Sequence, residues 1–484
     1  MEKLRVSKDH RHLETVSGKP FFWLADTDWT LPMRLKWDDV LYLMDKRVSQ
    51  GFTVLQIVAL DPEMDVQMRT PVGEKALIND DLACRNEKYF EYLDWIIDMA
   101  EEKGLYVMLL PAWGQLVVGE DWGGHTYEKT VTEDNAYEYG DWIGRRYKDK
   151  ANIIWCLGGD RQPIHKGVDY KNVWRKMAEG IGHGVTGCDL KWNVPDPCWS
   201  EALMTYHTCF EMETGKYSTM TYWDDGEAWI DFIMLQSGHG GKTQNYLQVK
   251  AEYNRKIPMP VFDGEPAYEQ MPSNWPDPFP LHDEWIVRKR AYWSLFAGAF
   301  GHTYGHSSVW CTISEKERSK GRPYTWCEAL DRPGAWQMRV LRDLIDSRPF
   351  ADVVPCQDMI GHSRHCGEGC LDDHRQACVD KNGRFAMVYL SSGGTEKVDL
   401  GRLSGEKLNV WWFNPRSGAC ENGQNIANTG DWTDFTSPDW GEKKDWILVL
   451  DDAAAGFDRP GRPLKEVLEF NKTEETVEAK VFNW

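Results

Sequence analysis

Eight alternations of short apolar runs with amphipathic segments occupy the chain from residue 20 to about residue 306. The apolar runs are Phe21–Ala25, Thr53–Ala59, Leu105–Leu110, Asn152–Leu157, Leu203–His207, Asp231–Gln236, Met259–Asp263 and Gly301–Gly305. Segments with apolar residues at helical spacing lie between them: Trp37–Gln50, Phe90–Lys103, Asn135–Lys148, Lys171–Ile181, Asn245–Arg255 and Glu284–Ala297. Runs such as NIIWCL are apolar on both faces, which is typical of parallel strands covered by helices. The pattern predicts a (β/α)8 TIM barrel over residues 1–350.

The pattern changes after Arg348 and Pro349. From about residue 375, polar and apolar residues alternate with a period of two in FAMVYLS, LNVWWFNPRSG and DWILVLD, and turn-forming residues separate these runs. This predicts a small antiparallel β-sandwich as a second domain over residues 351–484. The last alternating segment, TVEAKVFNW, could pair with either domain.

The charge of the chain limits its partners. Asp and Glu total 76 against 56 Lys and Arg, a formal net charge of −20, and such a surface repels nucleic-acid phosphates and anionic lipids. We therefore expect no nucleic-acid or membrane partner. The start, MEKLRVSKDH, is charged where a secretory signal needs an apolar stretch, which predicts a cytoplasmic location. The 12 cysteines are too dispersed for a disulfide scaffold, and a reducing compartment would keep them as thiols.

Polar and aromatic residues collect at the ends of the predicted barrel strands, where a TIM barrel has its functional face. In strand order they are Asp26, Asp28 and Trp29, then Trp113 and Gln115, Asp160, Tyr206 and His207, Gln236 and His239, Asp263 and Glu265, and finally His302, Tyr304 and His306. The chain also has 25 Trp. Because flat apolar rings edged with an N–H donor suit sugar rings, the set indicates a carbohydrate site.

Asp160 and Glu265 are the carboxylates best placed for glycoside cleavage. That reaction needs one protonated and one ionised carboxyl group on opposite sides of the anomeric carbon, and strands four and seven of an eight-stranded barrel face each other. Asp160 follows two glycines, and Glu265 ends the run VFDGE. One strand-end carboxylate alone is more often a helix cap or a member of an ion pair. The catalytic prediction therefore depends on the two residues occurring together.

The sequence resembles the apiosidase-like glycoside hydrolases of family 140. The resemblance lies in FFWLADTDWTL, NIIWCLGGDRQP, LMTYH, WIDFIMLQSGH, PVFDGEPAYE, GAFGHTYGHSSVW and PGAWQMRVLRDLIDSRPF, which span about residues 15–350. It implies a retaining mechanism with Asp160 as acid/base and Glu265 as nucleophile, and release of apiose, a branched pentose, from plant glycosides. Gly159 and Asp160 stand where many related barrel glycosidases have Asn-Glu, so the Asn that contacts the sugar 2-hydroxyl is missing. The C-terminal segments resemble the small sandwich, named for collagen binding, that accompanies this family.

Eight further side chains are candidates for substrate binding. They are Asp26, Trp29, Trp113, Tyr206, His207, Gln236, His302 and Trp310. The polar members offer donors and acceptors for a sugar, but the same groups could fill the barrel mouth or orient Glu265. The Trp residues could stack on a sugar or pack in a core.

A metal site and a different function are the remaining alternatives. His362, His365, Cys366, Cys370 and His374 lie in HSRHCGEGCLDDH, which could hold zinc, although the spacing is not that of a standard finger. We predict no metal and no cofactor. The favoured prediction is an exo-acting pentosidase that acts on a small-molecule glycoside or oligosaccharide. The alternatives are a non-catalytic carbohydrate-binding protein and a glycosidase of the same clan with another sugar specificity. Assembly into a homo-oligomer stays open.

Overall fold

The computed structural model describes residues 1–62, 67–211, 214–274, 277–361 and 373–464. Contacts within the chain divide it into two compact units, Met1–Trp336 and Gln337–Trp484. Elements are numbered along the chain. Among the described helices, none combines the length and the hydrophobicity needed to cross a bilayer.

The first unit is built on a sheet of eight parallel strands. A three-stranded sheet of β1 (Leu4–Val6), β2 (Leu13–Thr15) and β3 (Pro20–Phe21) precedes it. The eight strands are β4 (Trp23–Thr27), β5 (Val54–Val58), β6 (Tyr106–Leu110), β7 (Ile153–Gly158), β10 (Met204–His207), β11 (Ile233–Leu235), β12 (Val261–Asp263) and β15 (Gly301–Tyr304). The strands pair in parallel in the order β10-β7-β6-β5-β4-β15-β12-β11. β10 and β11 are therefore the two edge strands of this sheet. The N–H of Asp231 donates to the carbonyl of Met204 (2.9 Å) beside these end strands. The predicted (β/α)8 barrel is confirmed.

Helices and two small hairpins lie in the connections between the barrel strands, and two further helices follow the last strand. The helices are α1 (Leu31–Arg34), α2 (Trp37–Ser49), α3 (Glu87–Glu102), α4 (Gln115–Val118), α5 (Ala136–Tyr147), α6 (Lys171–Thr186), α7 (Asn245–Tyr253), α8 (Glu284–Phe296), α9 (Trp326–Ala329) and α10 (Pro333–Ile345). The hairpins are β8 (Ile164–His165) with β9 (Val168–Asp169), and β13 (Pro272–Asn274) with β14 (Asp277–Leu281). In the described part of the β10–β11 connection, a 3-10 turn at Thr219–Thr221 takes the place of an α-helix.

Large aromatic side chains fill the barrel interior near the start of its strands. Trp23, the first residue of β4, lies 4.8 Å from Phe262 between ring centroids, and Phe232 and Phe300 pack against both. All four are buried. Apolar rings therefore fill the barrel at the start of its strands. The polar side chains lie at the other end, where the strands finish.

The second unit consists of antiparallel sheets. Its strands are β16 (Val353–Pro355), β17 (Arg375–Asp380), β18 (Phe385–Leu390), β19 (Gly393–Asp399), β20 (Lys407–Phe413), β21 (Cys420–Ala427), β22 (Trp432–Trp440) and β23 (Trp446–Asp452). Six form a sheet in the order β16-β17-β18-β23-β20-β21, and β19 pairs with β22. Val388 and Leu448 of the large sheet share a buried apolar cluster with Val398 and Phe435 of the small one. The predicted sandwich is confirmed, and the segment TVEAKVFNW lies outside the described residues.

One pair of cysteines differs from the sequence expectation. Cys188 and Cys198 are joined by a disulfide bond, with their Cα atoms 6.8 Å apart. α6 ends in a left-handed turn at Gly187, and the chain folds back to a 3-10 helix that begins at Pro197, which brings the two sulfur atoms together. The expectation of free thiols was therefore wrong for these two residues.

Candidate active site

Three consecutive residues with positive φ place Asp160 at the mouth of the barrel. The φ angles are 88° at Gly158, 104° at Gly159 and 51° at Asp160. A Cβ at Gly158 would lie 2.1 Å from the carbonyl oxygen of His207, and one at Gly159 would lie 2.5 Å from the ring of Trp113. Only glycine fits either position. The glycine pair thus lets the backbone turn sharply after β7 and present the Asp160 side chain, which is 20% exposed.

Glu265 follows β12 and has a histidine at each carboxylate oxygen. His207, the last residue of β10, places Nε2 2.6 Å from Oε2, and His239 places Nε2 3.4 Å from Oε1. Burial alone would raise the pKa of Glu265, but the hydrogen bonds from His207 and His239, together with the charge of His239, outweigh it and hold that pKa well below its usual range. Glu265 is therefore ionised at neutral pH.

His207 connects the two carboxylate residues. Its Nδ1 lies 3.1 Å from the backbone nitrogen of Asp160. A backbone N–H only donates, so Nδ1 accepts and the ring proton lies on Nε2, where it is donated to Glu265. One neutral imidazole thus fixes the backbone of Asp160 and the side chain of Glu265 together.

Asp160 has the opposite electrostatic setting from Glu265. Burial and the nearby Glu265 charge raise the pKa of Asp160, and the charge of Arg161 and the hydrogen bond from Gln236 oppose this only in part. Gln236, which follows β11, donates from Nε2 to Oδ1 of Asp160 (2.8 Å) and accepts from the Phe210 N–H. Two carboxyl groups with pKa values moved apart are the arrangement that acid catalysis beside an anion requires.

Two of the predicted Trp residues pack around His207. The Trp29 and Trp113 ring centroids lie 5.3 Å apart, and they lie 5.4 and 5.8 Å from the His207 ring. Both are only 2% exposed. Most of each ring face is therefore covered by its neighbours, and both rings pack against the imidazole that contacts Glu265. Trp310 is half-buried, with the guanidinium of Arg322 5.4 Å from its ring centroid.

Three predicted substrate contacts are buried and occupied inside the protein. Asp26 lies 2.5 Å from Nε of Arg47 on α2 and has no exposed surface. The Tyr206 hydroxyl donates to the Arg161 carbonyl (3.0 Å), and His302 Nδ1 contacts the Ser294 hydroxyl (3.2 Å). Burial lowers the pKa of His302 to about 3, so this ring is neutral. These three side chains therefore contact other groups of the protein. The structure does not support a direct contact between any of them and a substrate.

Two neighbours of the carboxylates were not selected from the sequence. Arg161 places Nη1 2.7 Å from the Asp160 carbonyl and 4.0 Å from its Oδ2. Tyr268 packs against His239 with 4.7 Å between ring centroids, and burial together with the Glu265 charge keeps its pKa well above the usual value. Their positions, immediately after GGD and within the PAYE segment after the seventh strand, were the available signal.

The described ranges contain no group of three or more His, Cys, Asp or Glu side chains that could hold a metal ion. Residues His362, His365, Cys366 and Cys370 lie outside those ranges. His374 is described and is buried, with Nε2 2.9 Å from Oε1 of Gln376.

Comparison with known proteins identifies the family and the fold of the chain. The family model "Apiosidase-like, catalytic domain" matches residues 7–352, and "Putative collagen-binding domain of a collagenase" matches residues 354–451. A crystal structure titled a glycoside hydrolase family 5 protein from Bacteroides vulgatus is similar, with 29% identity, 97% coverage of both chains and a TM-score of 0.82. Another solved structure, titled "Glycoside hydrolase", has 29% identity, covers 94% of this chain and 97% of its own, and has a TM-score of 0.79. None of the curated proteins is significantly similar. With its barrel matched almost from end to end, the chain belongs to the apiosidase-like family and has the fold of a glycoside hydrolase.

Proposed function

We propose that the protein is a retaining, exo-acting glycoside hydrolase that releases a terminal pentose such as apiose from plant-derived glycosides or pectic oligosaccharides. Asp160 is the acid/base and Glu265 is the nucleophile. The observation that carries the proposal is the pair itself: one buried carboxyl group held ionised by two histidines, and one beside it whose pKa is raised. The family match supports apiose as the sugar, and the substrate is a small molecule.

In the first step the Glu265 carboxylate attacks the anomeric carbon. The His207 Nε2–H fixes Oε2, which leaves Oε1 as the attacking atom on the side of His239, a side chain that is 24% exposed. Asp160 gives its proton to the glycosidic oxygen as the C–O bond breaks. The leaving group departs with that proton, and the sugar is held as an ester of Glu265.

In the second step Asp160, now ionised, takes a proton from a water molecule that attacks the anomeric carbon. The ester bond to Glu265 breaks, which restores the carboxylate and frees the sugar. Gln236 holds Oδ1 of Asp160 in place through both steps. Because each step inverts the anomeric carbon, the product has the configuration of the substrate.

The proposal predicts release of a sugar with retained configuration. A panel of aryl apiosides, other aryl pentosides and apiose-bearing disaccharides, followed by proton NMR within the first minutes, identifies both the sugar and its first-formed anomer. We expect turnover of a pentoside and the retained anomer. An inverted anomer would remove Glu265 from the role of nucleophile. Tight binding of the sugars with no turnover would instead favour the non-catalytic carbohydrate-binding protein.

The electrostatics of the pair predict a bell-shaped pH profile with a wide plateau. Glu265 must be ionised, and since its pKa is lowered, kcat/KM should fall only at strongly acidic pH. Asp160 must be protonated, and since its pKa is raised, activity should persist above the usual carboxyl range and fall as pH rises through the Asp160 pKa. Measuring kcat/KM against pH tests this. In the variant Asp160→Ala the alkaline fall should disappear, and an unchanged alkaline limb there would assign it to another group.

A further inference from the structure

The loop after β6 and the hairpin after β7 are joined beside Asp160. Glu120 in the loop forms an ion pair with Lys166 in the turn of the β8–β9 hairpin, and His165 lies 3.5 Å from the same carboxylate. Arg161 Nη2 also reaches the carbonyl of Glu120 (3.5 Å). The two segments therefore meet next to Arg161, the residue that follows the acid/base residue in the chain.

An exposed tryptophan in the loop after β6 has a cation against one face of its ring. The guanidinium of Arg161 lies 3.8 Å from the ring centroid of Trp122, and the Arg161 side chain is only 3% exposed. Trp122 itself is 60% exposed. One face of the indole is therefore covered by Arg161, and much of the ring remains open. Few large apolar side chains in the described residues are more exposed.

The position of Trp122 is tied to that of Asp160. Arg161 follows Asp160 in the chain and donates from Nη1 to its carbonyl (2.7 Å). The space for the Arg161 side chain depends on Gly114, where a Cβ would lie 2.6 Å from the Cβ of Arg161. A continuous set of contacts thus runs from the proton donor through Arg161 to the open indole face.

We propose that the open face of Trp122 binds the leaving group of the substrate. This inference rests on the proposed function, in which Asp160 protonates the glycosidic oxygen, so the departing group must lie on the Asp160 side. A tryptophan face binds groups with a flat apolar face, whether the C–H face of a sugar ring or an aromatic aglycone. Trp122 is accordingly a specificity-determining residue for the leaving group and has no part in binding the sugar that is released.

The test compares substrates with and without a group on that side. In Trp122→Ala we expect kcat/KM for an aryl glycoside and for a disaccharide to fall roughly three- to tenfold. The glycosyl fluoride of the same sugar has a leaving group too small to reach the indole, and its kcat/KM should change by less than about twofold. Loss confined to the aryl substrate would identify an aromatic aglycone, and loss confined to the disaccharide would identify a sugar.

Two control variants separate stacking from structure. Trp122→Phe keeps an aromatic face over Arg161 and should retain most of the activity. Trp440→Ala removes a tryptophan that is 68% exposed in the second unit and should leave all rates unchanged. An equal fall for the fluoride and the aryl glycoside, or no fall for either substrate with a large leaving group, would overturn the inference.

If no substrate is turned over, the proposed function is contradicted. A binding measurement then still tests whether Trp122 binds a group of the leaving-group type. Saturation-transfer NMR with p-nitrophenol and with the free leaving sugar reports contact without chemistry. We expect a signal from at least one of them with the wild-type protein, and a loss of several-fold in Trp122→Ala. Equal signals from the two proteins, or none from either, would contradict a leaving-group site at Trp122.

Discussion

Replacing Glu265 by alanine should abolish turnover of every substrate, with kcat lower by roughly four orders of magnitude or more. The reason is that the carboxylate forms the covalent bond in the first step, so even a leaving group that needs no proton cannot depart at a useful rate. His207 and His239 would then face an empty space where the carboxylate had been. Steady-state kinetics on an activated aryl glycoside and on a disaccharide measures the loss.

External azide distinguishes a missing nucleophile from a damaged protein. In Glu265→Ala a small anion can enter the vacated space and attack the anomeric carbon, which should restore part of the activity and give a glycosyl azide of inverted configuration. Glu265→Gln is the matched control, because the amide fills the space and should prevent rescue. Wild-type rates in Glu265→Ala would show that Glu265 is not the nucleophile.

Replacing Asp160 by alanine should have an effect that depends on the leaving group. For a disaccharide we expect kcat/KM to fall by about 10²–10⁴-fold, since general acid catalysis contributes that much when the leaving oxygen needs a proton. For an aryl glycoside with an activated leaving group the first step needs little acid, so kcat/KM should fall far less. The second step still lacks its base, and the glycosyl-enzyme should accumulate as a burst of phenol followed by slow turnover.

The backbone at position 160 offers a second comparison. Asp160 has a φ of 51°, a region that asparagine tolerates better than most residues. Asp160→Asn should therefore keep the turn and the shape of the side chain while losing the acid, and its kinetics should resemble those of Asp160→Ala with less loss of thermal stability. Full activity of either variant on a disaccharide would remove Asp160 from the mechanism and favour the carbohydrate-binding alternative.

The barrel could be predicted because its signal is repeated along the chain. Each apolar run is long enough to mark a strand, and the predicted runs match the observed strands to within a few residues, as with Leu105–Leu110 against Tyr106–Leu110. Strand ends then locate the functional face without any knowledge of side-chain contacts. That is why Asp160 and Glu265 could be selected together from the sequence, although their catalytic roles stay a prediction.

Side-chain direction was harder to predict, because strands that are buried on both faces carry no polar alternation to set their phase. Tyr206 and His207 are neighbours in β10, and successive side chains point to opposite faces. His207 therefore meets Glu265, whereas Tyr206 packs against Trp174 of α6. Asp26 likewise meets Arg47 of α2. A shift of one residue along a strand therefore decides whether a side chain points toward Glu265 or packs against the helices.

Contacts between distant loops leave no signal in a single sequence. The stack of Trp122 on Arg161 joins two connections of the barrel, and nothing in the composition of either indicates the other. The same holds for the bond between Cys188 and Cys198, which depends on how the chain returns after α6.

The paired titration of Asp160 and Glu265 has a consequence for the energy of the whole reaction. In the proposed cycle the free enzyme carries its negative charge on Glu265, and the glycosyl-enzyme carries it on Asp160, so the two side chains together hold one charge throughout. The charge moves from the side of His207 and His239 to the side of Gln236 and Arg161, and each side already has its donors in place. The protein groups around the two carboxylates need little reorganisation at either step, because hydrogen-bond donors and positive charges are already positioned beside each carboxylate.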